Sequence, residues 1–154
     1  MKVILIENQN KIRLDLDLIQ EIARYISNKF DKDIKSELNI IFSDKKDIRQ
    51  LNKKYRKVDK ETDVLSFSYI SDKEKMSFGD NTYTVGEIII CPEIAESNAL
   101  RQKENWSLNL EIILLIIHGI LHEYDYDHEE EKDKVNMEKI QDSLISDVRS
   151  NFNL

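Results

Sequence analysis

The chain has three histidines, His118, His122 and His128, and all fall in one stretch, LIIHGILHEYDYDHEEE, residues 115–131. His118 and His122 stand four apart in an apolar run that reads as helix. That spacing puts them about 40° apart around the axis, stacked on one face. Two imidazoles so placed can hold two corners of a tetrahedral metal site. The segment EYDYD suits a turn, which brings His128 back toward them. Three neutral nitrogen ligands with one open position are the pattern of a catalytic zinc site rather than a structural one. Nickel and copper also accept such a set. A lone histidine on an apolar helix is ordinarily a satisfied core residue, but three at this spacing, with none elsewhere, favour a metal.

Zinc metalloproteases share part of the pattern, with a glutamate after the first histidine as general base. Here that position is Gly119, which has no side chain to take a proton. Glu123 follows the second histidine but lies about 140° from His118 around the helix. Peptide hydrolysis by that route is disfavoured.

A second cluster is cationic. Residues 45–60, KKDIRQLNKKYRKVDK, hold eight Lys or Arg and two Asp, a local net of +6 in a chain whose total is −7. A compact basic segment can bind a polyanion on an acidic protein, because counterion release depends on the local cluster. The competing reading is a solvated helix face.

The elements that must position these groups follow from periodicity. KVILI (2–6) reads as a strand, and Leu18, Ile19, Ile22, Ala23, Ile26 and Phe30 mark an amphipathic helix over 14–30. Residues 38–42 alternate as a half-buried strand. Asp44 caps a helix over 45–56, with Ile48, Leu51, Asn52 and Tyr55 on one face. Strands are expected at 64–69 and 84–91, with an exposed loop or hairpin between them turning at Gly79-Asp80-Asn81. Helices are expected at 93–104, at 108–123 capped by Ser107, and at 128–149 with Val135, Ile140, Leu144, Ile145 and Val148 inward. The helix over 108–123 is apolar nearly all round, so it should run through the core. The order predicts one α+β domain over 1–154: a four-stranded mixed sheet, helices packed against it, and a buried central helix carrying the histidines. A single cysteine, Cys91, leaves no internal disulfide and reads as a buried small residue. No signal peptide is evident, and the longest apolar run, IILLII at 112–117, is too short to span a bilayer. The expected location is the cytoplasm, with no membrane partner.

HGILHEYDYDH closely resembles the H-G-x-L-H-x-x-G-Y-D-H signature of the YbeY family, bacterial metal-dependent endoribonucleases that mature ribosomal RNA. LNKKYRKVDKETDVLSFSY is similar to the family's L-N-x-x-Y-R…D…T-[ND]-V-L-S-F-P segment, and GEIII to its G-D-I-x-I strand. The resemblance implies that His118, His122 and His128 bind zinc. It also implies that Arg56 is the catalytic arginine facing the phosphate, acting beside His118; Lys53, Lys54 and Lys57, in the basic segment, are expected to guide the RNA. It further implies a role in 16S rRNA 3′-end maturation and ribosome quality control, with the ribosomal subunit, a ribosomal protein or an assembly GTPase as partners. Three residues depart from the pattern. Asp125 replaces the motif glycine, at a turn expected to need positive φ, which Asp tolerates. Ser68 replaces the proline, which would loosen the strand's end, and Glu87 replaces the aspartate.

The implied chemistry is hydrolytic cleavage of single-stranded RNA, with zinc polarising a phosphoryl oxygen, activating a water, or both. Arg56 would stabilise the charge on the phosphorus centre. Asp127 has two readings, a residue orienting a ligand histidine or a cap of the last helix with Glu130 completing a capping box. Ser66 is a cleft residue or an ordinary strand residue, and Tyr124 and Tyr126 are packing or cleft walls. Two other function classes share these features. One is a zinc hydrolase or metalloprotease-like enzyme on a non-RNA substrate. The other is a non-catalytic ribosome-assembly factor.

Overall fold

The computed structural model describes residues 1–70, 77–78, 82–102 and 104–154. Strand β1 (Lys2–Asn8) leads through α1 (Leu16–Phe30) to β2 (Ser36–Ser43). Helix α2 (Lys45–Arg56) then precedes β3 (Val64–Ser68), the two-residue β4 (Ser77–Phe78) and β5 (Thr82–Ile90). Three helices close the chain: α3 (Pro92–Leu100), α4 (Leu108–Glu123) and α5 (Glu131–Phe152). The main strands lie in the order β1-β2-β5-β3, the first three parallel and β3 antiparallel to β5. This is the expected α+β domain with a four-stranded mixed sheet. The short β4 adds to it by pairing antiparallel with the start of β5. The expected Gly79-Asp80-Asn81 turn lies outside the described residues.

Alternation along β5 explains the two-sided core. Ile88 and Ile90 join the large cluster containing α1, α4 and α5 side chains, while Ile89 and Cys91 join a second cluster with Ile48 of α2. Successive side chains of a strand point to opposite faces, so one strand supports both layers. Helix α4 is the centre of the larger layer. It touches β3, β5, α1, α3 and α5, and Ile112, Ile113, Ile116, Ile117 and Leu121 are fully buried. Gly119 faces the sheet: a Cβ there would meet the Ile88 side chain 2.7 Å away. A glutamate at 119 would therefore point into packed core and not into a cleft.

The expected caps Asp44 and Ser107 are in place, accepting from Asp47 N and Leu110 N at 2.8 and 3.1 Å. Four expectations need correction. Helix α3 stops at Leu100 rather than 104, because the chain must reverse through Asn105 (φ 68°) to pack α3 against α4. Helix α5 starts at Glu131 with Glu130 as N-cap, so Asp127 caps nothing and no capping box forms. The Asp127 carboxylate instead accepts from Glu129 N at 3.4 Å, within the loop that lets His128 reach back. Val135 is exposed and Met137 takes the buried position on α5. Tyr55 is likewise 54% exposed, set edge-on to Phe67 beyond the face that Ile48 and Asn52 bury.

Candidate active site

The turn after α4 assembles the site. Asp125 N donates to His122 O and Tyr126 N to Leu121 O, at 3.2 and 3.0 Å. Asp125 takes φ 67°. This is the Schellman arrangement, in which the residue just past the helix occupies the left-handed region and usually is glycine. Asp125 fills that place as expected of a tolerated substitute. Its partner in the motif, Tyr126, packs with Leu121 in the core, so the chain turns back sharply enough to return His128.

The three imidazoles converge. One ligand atom from each of His118, His122 and His128 can be chosen so that all lie within 4.8 Å of one another. The Nε2 atoms of His118 and His122 are 2.9 Å apart. Ligand nitrogens at about 2.0–2.1 Å from a tetrahedral ion sit roughly 3.3 Å apart, so the pair is close to the separation such an ion imposes. Burial holds both rings below the usual histidine range. The Gln141 hydrogen bond opposes this at His118, and the two neighbouring imidazoles reinforce it at His122. Neutral imidazoles are the form that binds a metal. The donor set and its convergence fit a metal ion.

The cleft beside these rings has a volume of about 420 Å³. Arg56, from the end of α2, lines it together with Thr62, Asp63, Ser66 and the three histidines. Arg56 ends α2, and residues 57–63 lead from it to the edge strand β3. Asn52 pins that loop from beneath, its Nδ2 donating to Lys60 O at 2.9 Å. Ser66 lies in the cleft wall. Ser68 does not loosen its strand: its hydroxyl donates to Glu123 O at 2.9 Å and ties β3 to the end of α4. Glu87 accepts a 3.5 Å hydrogen bond from Tyr69.

Other expected residues lie apart. Lys53, Lys54 and Lys57 line a separate surface depression with Gln50 and Asp59, not the histidine cleft. Asp127 is exposed and hydrogen-bonds no histidine. Its charge is nonetheless among the smaller influences that favour protonated His122. Tyr124 packs against Phe30, with rings 5.4 Å apart, so it is core and not a cleft wall.

Asp63 and Gln141 had no role in the sequence reading. Asp63 lines the cleft with its carboxylate held by Asn98 Nδ2 at 3.2 Å, and it stood inside the ETDVLSFSY motif. Gln141 Oε1 lies 3.2 Å from His118 Nδ1, and no spacing signal in the sequence joins residues 23 apart. Among the described residues, the geometry gives neither carboxylate oxygen of the almost fully buried Glu123 a hydrogen-bond partner, and burial pushes the group up to about 9. It fits only because Gly86 has no side chain where the carboxylate lies.

Residues 5–149 match the family described as Endoribonuclease YbeY. The chain belongs to the YbeY family. An Endoribonuclease YbeY from Staphylococcus epidermidis is 33% identical over 134 residues, 86% of this chain and 85% of that protein. One from Staphylococcus aureus is 36% identical over 113 residues, 72% of each. The solution structure of TM1509 from Thermotoga maritima is similar with a TM-score of 0.63 and 28% identity, covering 98% of this chain and 91% of that one. YbeY membership supports an endoribonuclease role and an RNA substrate, and three histidines able to hold a metal suit it. Among the described residues, no helix is long and apolar enough to cross a membrane.

Proposed function

We propose that this chain is a zinc-dependent endoribonuclease that cuts single-stranded RNA and acts in the cytoplasm on the 3′ end of 16S rRNA during ribosome maturation. The observation that carries the reading is the meeting of three convergent imidazoles and Arg56 in one cleft of a YbeY-family chain. His118, His122 and His128 would hold the zinc, which supplies Lewis-acid polarisation and an acidified water when bound. Arg56 offers the cleft a planar, permanently charged fork, suited to a phosphate that gains negative charge as it is attacked. Ser66 lines the wall along which the substrate backbone lies. Lys53, Lys54 and Lys57, outside the cleft, hold a flanking part of the RNA by charge alone. Docking on the ribosomal subunit, with a ribosomal protein or assembly GTPase alongside, belongs to the same reading.

The test is cleavage of single-stranded rRNA fragments by wild type, His118→Ala and Arg56→Ala in parallel, with metal analysis of each. Wild type should cut and carry one metal per chain, His118→Ala should lose both, and Arg56→Ala should keep the metal and lose most cleavage. Equal cleavage by all three would point to a contaminating nuclease and sink the proposal.

A further inference from the structure

We propose that Gln141 is a positioning residue that reserves the Nε2 lone pair of His118 for the metal; this rests on the reading of the histidines as ligands. A neutral imidazole carries its proton on one nitrogen or the other, and only the bare nitrogen can ligate. His118 presents Nδ1 to Gln141 Oε1 at 3.2 Å and Nε2 to His122 Nε2 at 2.9 Å. A carbonyl oxygen can only accept, so it draws the proton to Nδ1 and leaves Nε2 bare. His118 then turns a bare nitrogen toward the point that the three imidazoles share. With His118 Nε2 bare, His122 Nε2 at 2.9 Å can donate its proton to it when no ion is bound, and a cation that displaces that proton finds the two nitrogens already close together.

Gln141 is placed by packing. It stands one turn after Met137 on α5, on the same helix face. Met137 is buried in the main core and fixes that face over α4. Gln141, Met137, Lys134 and Glu138 line an opening of about 330 Å³ together with His118 and His128, and Arg56 is not among its walls. The metal site therefore depends on α5, which contributes no ligand. The amide also does this work without charge. A carboxylate there would add a negative charge close to the place where a phosphate must bind.

Two measurements test the assignment in the metal-free and zinc-titrated protein. Two-bond ¹⁵N–¹H correlations of the His118 ring report its tautomer, and competition with a chromophoric chelator reports Zn²⁺ affinity. Wild type should show the Nδ1–H form. Gln141→Leu should populate both tautomers and bind Zn²⁺ about 10–100-fold more weakly, the range seen when a ligand's outer partner is lost. Gln141→Glu restores an acceptor and should restore the Nδ1–H form and the affinity. Nε2–H in wild type would overturn the proposal, because the amide would then be donating. So would Gln141→Leu with wild-type affinity, or Gln141→Glu as weak as Gln141→Leu. Should Gln141→Leu fail to fold, the wild-type tautomer and the Gln141→Glu affinity decide. Wild type that takes up no Zn²⁺ would overturn the ligand reading itself, whereas wild-type uptake matched by Gln141→Leu overturns only the role of Gln141.

Discussion

The imidazoles of the cleft are crowded together and braced, while the lysines at the end of α2 are exposed and loosely held. His118 and His122 ride on the most deeply buried helix of the molecule, and Gln141 stands behind His118 at 3.2 Å. Lys53 pairs with Asp59 at 3.8 Å with more than half of each side chain exposed, a contact that contributes little. Lys57 Nζ reaches Lys54 O at 3.2 Å. The contrast follows from what each must recognise. A metal needs atoms placed to a few tenths of an ångström, whereas a polyphosphate chain needs only charge near its path. Arg56 stands between the two regimes: it is exposed, yet it lines the cleft from the last turn of α2, ahead of a loop that Asn52 anchors.

Breaking the braced side should have the largest effect. His122→Ala should remove the bound metal and reduce cleavage to background, as read by metal analysis and a single-turnover assay. Arg56→Ala should come next. It should leave metal content unchanged and lower kcat by about 10²–10³, the usual effect of removing one preorganised charge-stabilising group. Arg56→Lys should recover only part of this, because the fork is lost. The triple change of Lys53, Lys54 and Lys57 to Gln should weaken RNA binding while kcat at saturating RNA stays near wild type. Its signature is a log–log salt dependence shallower by about 2, from three lost phosphate contacts to a single strand. The smallest effect is expected at the turn. Asp125→Gly should stabilise the protein by roughly 0.5–1 kcal/mol, because glycine is at ease in the left-handed conformation that Asp125 adopts. Chemical denaturation reads it, and metal content should not change.

Much of the braced side was legible because it is local. His118 and His122 are linked by helical spacing and His128 by a short turn, so three residues within eleven positions announced one site. The long apolar run said that the helix carrying them would be buried. The shared cleft of Arg56 and the histidines was not in any local pattern, since it brings together side chains of α2, β3 and α4. The family resemblance supplied it, and the geometry agrees. Gln141 escaped for the same reason: its partner is on another helix, and a glutamine on α5 looks like an ordinary surface residue. Asp127 was misjudged as a cap because its sequence pattern is a good capping box. The helix starts later, with His128 left in the loop beside the other two rings. The lysines were correctly seen as a cluster, but charge counting has no direction, and only the fold separates their depression from the cleft that holds Arg56.

The most direct test is metal reconstitution. Wild type stripped of metal should be inactive on a single-stranded RNA substrate, and titrating Zn²⁺ back should restore cleavage in proportion, saturating at one ion per chain. Cleavage by the stripped protein at the full rate, or restoration that needs many ions per chain, would contradict a single three-histidine centre as the site of catalysis.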